Sequence, residues 1–297
     1  MQPILEIKNL TKYYGKVKGV ENLSLTINKG EIFGFIGPNG AGKSTTIRSV
    51  MHLINKNSGS VKVGGKEFLR DDTEIKKMIG YLPSEVFLYD DLTVGQIFDY
   101  HEGFYKKYGD SAGIHEKRCE LVERLKLDET KMIEDLSLGN LKKTGIVLAL
   151  MHKPKLIIMD EPTSGLDPII QNVFYDLLRE ERERGNAVFY STHILSEISK
   201  VCDRVGIIKN GELIKVDKTS ELSDKNLTFV TVKSPDKDRI IKELGVKPLS
   251  EAGETVRFAN SFPDDALIKK LAAYSIDRVL IEEATLEEMF MHYYTEE

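Results

Sequence analysis

The feature that most constrains this chain is a glycine-rich octapeptide, Gly37-Pro38-Asn39-Gly40-Ala41-Gly42-Lys43-Ser44. It follows a nearly unbroken apolar run, Glu31 to Ile36, and precedes residues with helical periodicity, Ile47, Val50, Met51 and Ile54 on one face. A buried strand, a glycine loop and a helix in that order can turn several successive backbone N–H groups toward one anion. The glycines let the loop curl, and the helix N-terminus adds positive potential. Lys43 is placed to reach the β and γ phosphates of a nucleotide and Ser44 to ligate Mg²⁺, with Thr45 just behind. The loop therefore implies an α/β fold and a nucleoside triphosphate ligand.

A second signal lies far along the chain, where the apolar run Leu156–Met159 ends in Asp160-Glu161-Pro162. An acid at the end of a buried strand beside a phosphate loop can hold the Mg²⁺ shell, and a carboxylate next to it can polarise attacking water. Asp160 takes the first role and Glu161 the second. Strands of the fully buried type are expected at Lys155–Met159, Ala187–Tyr190 and Arg204–Ile208, with helices between them, so the core reads as a mostly parallel sheet. Residues 4–10 and 20–27 alternate apolar and polar side chains, as half-buried strands near a sheet edge do. Between Asp90 and Glu134 only amphipathic helical patterns appear. The first opens with a capping box, Thr93 and Gln96, and carries Ile97, Phe98, His101, Phe104 and Tyr105 on one face; the second carries Ile114, Leu121, Val122 and Leu125. This is a helical insertion, about residues 90–140.

Asn210-Gly211 is a hairpin signal, and after a short strand the composition changes. Of 42 basic and 47 acidic residues, 11 and 16 fall in residues 218–297, so residues 1–217 are neutral and the net charge of −5 belongs to the end of the chain. Neutrality over the first part argues against a nucleic-acid partner. From Leu227 the patterns read βαββαβ, which suggests a small α+β domain of ferredoxin-like type, followed by a helix opening at Thr285 with Glu288 and carrying Leu286, Met289, Phe290, Tyr293 and Tyr294. The division is 1–217 and 218–297. The two cysteines, Cys119 and Cys202, are too far apart in sequence for a zinc motif and fit a reducing, cytoplasmic compartment. The longest apolar run, Ile146 to Met151, is far short of the roughly 20 residues that span a bilayer. Another polypeptide must cross the membrane if the chain works at one.

Taken together, these motifs resemble those of the ATP-binding-cassette (ABC) ATPases over nearly all of residues 4–216. Tyr14 in Thr-Lys-Tyr-Tyr-Gly matches the aromatic that stacks on adenine. Leu136-Ser137-Leu138-Gly139-Asn140 stands where the family has Leu-Ser-Gly-Gly-Gln, Ser164-Gly165-Leu166-Asp167 matches the D-loop, and His193 in Ser-Thr-His matches the switch histidine. The resemblance implies a P-loop ATPase with an antiparallel β subdomain and the helical insertion. It also implies a homodimer, or a heterodimer with a related subunit, in which Ser137 and Gly139 of one chain cap the γ phosphate held by Lys43 of the other. Lys43, Glu161 and His193 would be catalytic; Tyr14, residues Gly37 to Thr45, Ser137, Gly139 and Asp167 would bind ATP; Ser44, Asp160 and Ser84 would serve Mg²⁺.

Two departures bear on mechanism. Ser84, followed by Glu85, replaces the family's Gln after Gly-Tyr-Leu-Pro, and either side chain could take its place at the metal. Leu138 and Asn140 replace Gly and Gln in the signature, narrowing the space near the nucleotide. In the family the segment Ser84–Tyr89 helps grip a cytoplasmic helix of the membrane subunit, although at least two of Val86, Phe87, Leu88 and Tyr89 are expected in the core. The loop, the insertion and the terminal Leu-Glu-Glu-Met-Phe resemble the branch paired with separate permeases for drug, antibiotic or lipid export. That places the chain on the inner face of the cell membrane. A soluble ABC-type ATPase of DNA repair or translation is the alternative, but the chain has neither a long coiled coil nor a second cassette.

Overall fold

Alternating apolar and polar side chains send Pro3–Tyr14 (β1) and Val17–Asn28 (β2) into an antiparallel pair with Leu5, Ile7, Leu23, Leu25 and Ile27 buried. The computed structural model describes residues 2–106, 111–220, 228–260 and 262–283 and divides the chain into two units, 1–219 and 220–297. All five residues of Ile32–Ile36 (β3) are buried, and the glycine loop leads from them into Lys43–Val50 (α1). Ile47 and Val50 are buried, but the helix closes at Met51 and His52 takes a φ of 56°, so Ile54 lies beyond it. Ser58–Val63 (β4) and Lys66–Glu67 (β5) complete a first sheet of order β2-β1-β4-β5. β2 is thus the edge strand and β1 lies next to it. Thr73–Lys77 (α2), capped by the Asp72 carboxylate on the Ile75 N–H, leads into Ile79–Leu82 (β6).

Val94–Lys106 (α3) and Ser111–Leu125 (α4) form the insertion. The capping box is made: the Gln96 N–H donates to Thr93 Oγ1 at 3.2 Å and the Thr93 N–H to Gln96 Oε1 at 2.8 Å. Ile97 and Phe98 are buried, and Ile114, Leu121 and Leu125 answer them from α4. Phe104 departs from the expected face. It is exposed, edge-on to Tyr100, which in turn meets Tyr89. Arg118 ties the helices together, reaching Asp99 at 2.6 Å, Glu129 at 2.8 Å and Glu102 at 3.2 Å.

Leu138–Leu150 (α5), Leu156–Asp160 (β7), Pro168–Glu183 (α6), Ala187–Thr192 (β8), Leu195–Val201 (α7), Arg204–Lys209 (β9) and Glu212–Lys218 (β10) complete the second sheet. Its order is β10-β9-β3-β8-β7-β6, parallel throughout except for the β9–β10 hairpin, where Asn210 and Gly211 both take positive φ. Parallel pairing brings the C-terminal ends of β3, β6, β7 and β8 to one edge. The phosphate loop, Ser84, Asp160-Glu161 and His193 all leave from that edge. Gly80 lets α5 lie close on β6, since a Cβ there would stand 2.0 Å from the Ala149 carbonyl oxygen.

In the second unit, Thr228–Lys233 (β11), Lys237–Leu244 (α8), Pro248–Ala252 (β12), Thr255–Asn260 (β13), Asp264–Leu271 (α9) and Arg278–Glu283 (β14) follow one another as βαββαβ. The sheet is antiparallel with order β12-β13-β11-β14. Val230, Val232, Val256 and Phe258 pack with Ile240 of α8 and with Leu267 and Leu271 of α9. The helix expected from Thr285, with Glu288 and its apolar face, lies outside the described residues.

Candidate functional site

The phosphate loop is held by close backbone approach. Gly42 takes a φ of 109°, and a Cβ there would lie 2.6 Å from the Gly19 carbonyl oxygen; one on Gly37 would lie 2.4 Å from that of Ile208. The Ala41 carbonyl accepts from the Gly211 N–H at 2.9 Å, so the β9–β10 hairpin braces the loop from outside. Lys43 is buried and folds back, its Nζ donating to the Gly37 carbonyl at 2.7 Å and the Pro38 carbonyl at 3.2 Å. Burial lowers its pKa, while Glu161 and Asp160 act in the opposite direction. The loop opens on a cleft of about 340 Å³ lined by Tyr14, Asn39, Lys43, Ser44, Thr45 and Glu161 among others. The Tyr14 ring is 47% exposed, with Lys12 Nζ 4.9 Å from its centroid.

Asp160 is fully buried at the end of β7. Its Oδ1 accepts from Ser191 Oγ at 2.5 Å, whereas Oδ2 is buried without a hydrogen-bond partner. An orphaned carboxylate oxygen at this strand end has the chemistry a cation shell requires. Glu161 follows with φ 47°. Its Oε1 stands 3.1 Å from His193 Nδ1 and 3.6 Å from Lys43 Nζ. The structure therefore brings Lys43, Asp160, Glu161 and His193 together, with a carboxylate open enough to meet water between two nitrogen groups.

Ser137, Gly139 and Asp167 do not line the cleft. Ser137 caps α5, its Oγ accepting from the Asn140 N–H at 3.3 Å, and Asp167 caps α6, accepting from the Ile169 and Ile170 N–H groups at 3.0 Å each. A Cβ on Gly139 would stand 2.7 Å from the Gly165 carbonyl oxygen, and the exposed Leu138 lies along Gly165. Leu138 thus packs on the turn before α6 in its own chain. Ser84 is half-buried and Glu85 exposed. The expectation that at least two of Val86, Phe87, Leu88 and Tyr89 lie in the core does not hold: Val86 and Leu88 are half-buried, Tyr89 is exposed and Phe87 is 84% exposed. β6 ends at Leu82, which leaves this segment outside the sheet; of its apolar side chains Val86 lies close to Gly145 of α5, without being fully covered.

Two site residues escape the sequence patterns. Glu197, buried in α7, accepts from Thr163 Oγ1 at 2.5 Å, Thr192 Oγ1 at 2.6 Å and the Tyr190 hydroxyl at 2.8 Å. One carboxylate so fastens the loop after Glu161 to the strand that presents His193. Its only sequence sign is an acid in the first turn of a helix. Lys142 is the second, buried in α5 where helical periodicity gives no reason to bury a lysine. A larger cleft of about 540 Å³ opens beside Lys117, Glu120, Glu181 and Arg184, but these charges pair with one another and the phosphate loop takes no part in it.

The glycine loop with its buried lysine, facing two acids at the end of β7, one strand away across β8, defines a nucleoside triphosphatase of the phosphate-loop class. The ABC transporter family model matches residues 20–164. The linearmycin resistance ATP-binding protein LnrL of Bacillus subtilis is 39% identical over 239 residues, covering 77% of this chain and 75% of that protein. The bacitracin transport ATP-binding protein BcrA of Bacillus licheniformis is 35% identical over 246 residues, covering 81% and 78%. A dimeric ATP-binding cassette in a post-hydrolysis state, bound to ADP and Pi, superposes with a TM-score of 0.65 at 26% identity over 72% of this chain and 98% of that one. The chain belongs to the ATP-binding subunits of ABC transporters and hydrolyses ATP. Among the described residues no helix is long and apolar enough to cross a membrane.

Proposed function

We propose that two copies of this chain, or one copy and a close relative, close around MgATP and drive export through separate membrane-spanning permease subunits. The observation that carries this reading is the approach of Lys43 and His193 to Glu161 beside the unpartnered Oδ2 of Asp160. Glu161 takes the proton of the attacking water, His193 holds that carboxylate and senses the γ phosphate, and Lys43 turns from its own loop to the β and γ phosphates. Asp160 and Ser44 would hold Mg²⁺, with Ser84 on the loop after β6 completing its shell, and the ion would neutralise phosphate charge. Ser137, Gly139 and Asp167 serve the partner's nucleotide. Ser137 is exposed at a helix N-terminus, which suits a γ phosphate arriving from outside the chain.

Tyr14 binds the purine by stacking, which any base with a π face permits. Tyr14→Ala should weaken ATP and GTP alike, by about 1–3 kcal/mol. Equilibrium titration with both nucleotides checks this; loss of ATP binding alone would point to a hydrogen bond instead.

Export is supported by the resistance and transport roles in the relatives' names. The permease seat is the exposed aromatic surface of Phe87, Tyr89, Tyr100 and Phe104, an apolar patch of the kind that marks a partner. Through it the chain sits on the cytoplasmic face of the membrane. Phe87→Glu should abolish co-purification with the permease and its stimulation of hydrolysis, leaving the basal rate within about twofold. Retained co-purification would move the seat elsewhere. The βαββαβ order and antiparallel order β12-β13-β11-β14 support a ferredoxin-like second domain, an accessory without a catalytic centre of its own.

A further inference from the structure

Lys142 is 2% exposed on α5, the helix that Ser137 caps. Its Nζ donates to the Ser84 carbonyl at 2.5 Å and reaches the carbonyl oxygens of Glu161 at 3.3 Å and Pro83 at 3.4 Å. Three N–H donors therefore face three backbone acceptors on two different loops, one leaving β6 and the other leaving β7. Burial lowers the pKa of this lysine, with Asp160, Glu161 and Glu85 acting against it. A buried ammonium is costly where an apolar side chain would pack, so what it holds matters.

What it holds is a strained backbone. A non-glycine residue in the left-handed region costs on the order of 1–3 kcal/mol and persists only where its surroundings fix it. Glu161, at φ 47°, is fixed on one side by its N–H on the Ser191 carbonyl at 3.1 Å. On the other side its carbonyl meets Lys142 Nζ and, at 3.4 Å, the Ser164 N–H. The same ammonium grips Ser84, three residues before the exposed Phe87.

We infer that Lys142 is a positioning residue that locks the backbone of Glu161 to the loop Pro83–Tyr89, so that displacement of this loop alters hydrolysis without altering nucleotide binding. The inference rests on the reading of Glu161 as the base. Lys142 lines no part of the nucleotide cleft, which separates its effect from that of Lys43.

Lys142→Met keeps the length of the side chain and removes every donor. It should lower kcat at least about tenfold while the ATP Kd and KM stay within about twofold. Lys142→Gln retains two N–H donors on a shorter reach and should hold kcat within about threefold of the wild type. If the methionine protein does not fold, Lys142→Ala, which admits water to the three carbonyls, takes its place with the same expectation. A folded methionine or alanine variant with wild-type kcat overturns the inference. So does one whose ATP affinity falls in step with kcat, or a glutamine variant as impaired as the methionine one. Glu161→Gln measured in parallel separates the two levels: if it stops turnover while the Lys142 variants do not, only the positioning role is wrong, and if it still turns over, the base beneath both is lost.

Discussion

Glu161→Gln stops hydrolysis, by about 10²–10⁴-fold, and leaves ATP binding intact. The amide keeps the size of the carboxylate and can still meet His193, 3.1 Å away, but it cannot take a proton from water. Lys43 loses its nearest counter-charge, at 3.6 Å, yet still donates to the Gly37 and Pro38 carbonyls until a phosphate replaces them. Affinity therefore holds while kcat falls. Single-turnover assays with enzyme in excess over ATP check the result, since they report the chemical step apart from product release. A cleavage rate within a few-fold of the wild type, on the scale of the 10²–10⁴ a positioned base contributes, contradicts the assignment.

Asp160→Asn gives the second large effect, by a different route. Asp160 Oδ2 is a buried acceptor without a donor, and the amide places either a weaker acceptor or an N–H₂ group at that position. Ser191 Oγ can still bond the remaining carbonyl. Stability should hold or rise, because a buried carboxylate with one hydrogen bond is removed. Hydrolysis should fall roughly 100-fold or more, since metal stabilisation of phosphoryl transfer is worth several kcal/mol and each 1.36 kcal/mol is tenfold. Paramagnetic resonance of Mn²⁺ in the presence of ATP reads the metal directly. Unchanged Mn²⁺ affinity together with lost turnover would assign Asp160 to something other than the metal.

The glycine loop and the Asp160 strand end were legible because each demands particular residue types at fixed spacing. Gly42 at φ 109° tolerates little else, and β7 is buried along all five residues. Thr93 and Gln96, Asn210-Gly211 and the βαββαβ order of the second unit were legible for the same reason, local chemistry that needs no distant partner. Distant partners made the rest obscure. β4 begins Ser-Gly-Ser, is not among the expected strands, and becomes one by pairing with β1. β6 has four residues and a glycine, made possible by the close approach of α5. Burial of Lys142 depends on carbonyls from loops 58 and 19 positions away, which no periodicity within α5 can announce. Phe87 and Phe104 fit apolar patterns, yet the fold sets no layer over them.

On the proposed reading each ATP needs two chains, because Ser137 and Gly139 do not line the nucleotide cleft of their own chain. Sedimentation velocity of full-length Glu161→Gln protein, with and without ATP and Mg²⁺, tests it most directly. Monomers are expected without nucleotide and dimers with it, reversed when Ser137 is changed to Phe. A Glu161→Gln protein that binds ATP at full occupancy and still sediments as a monomer would contradict it.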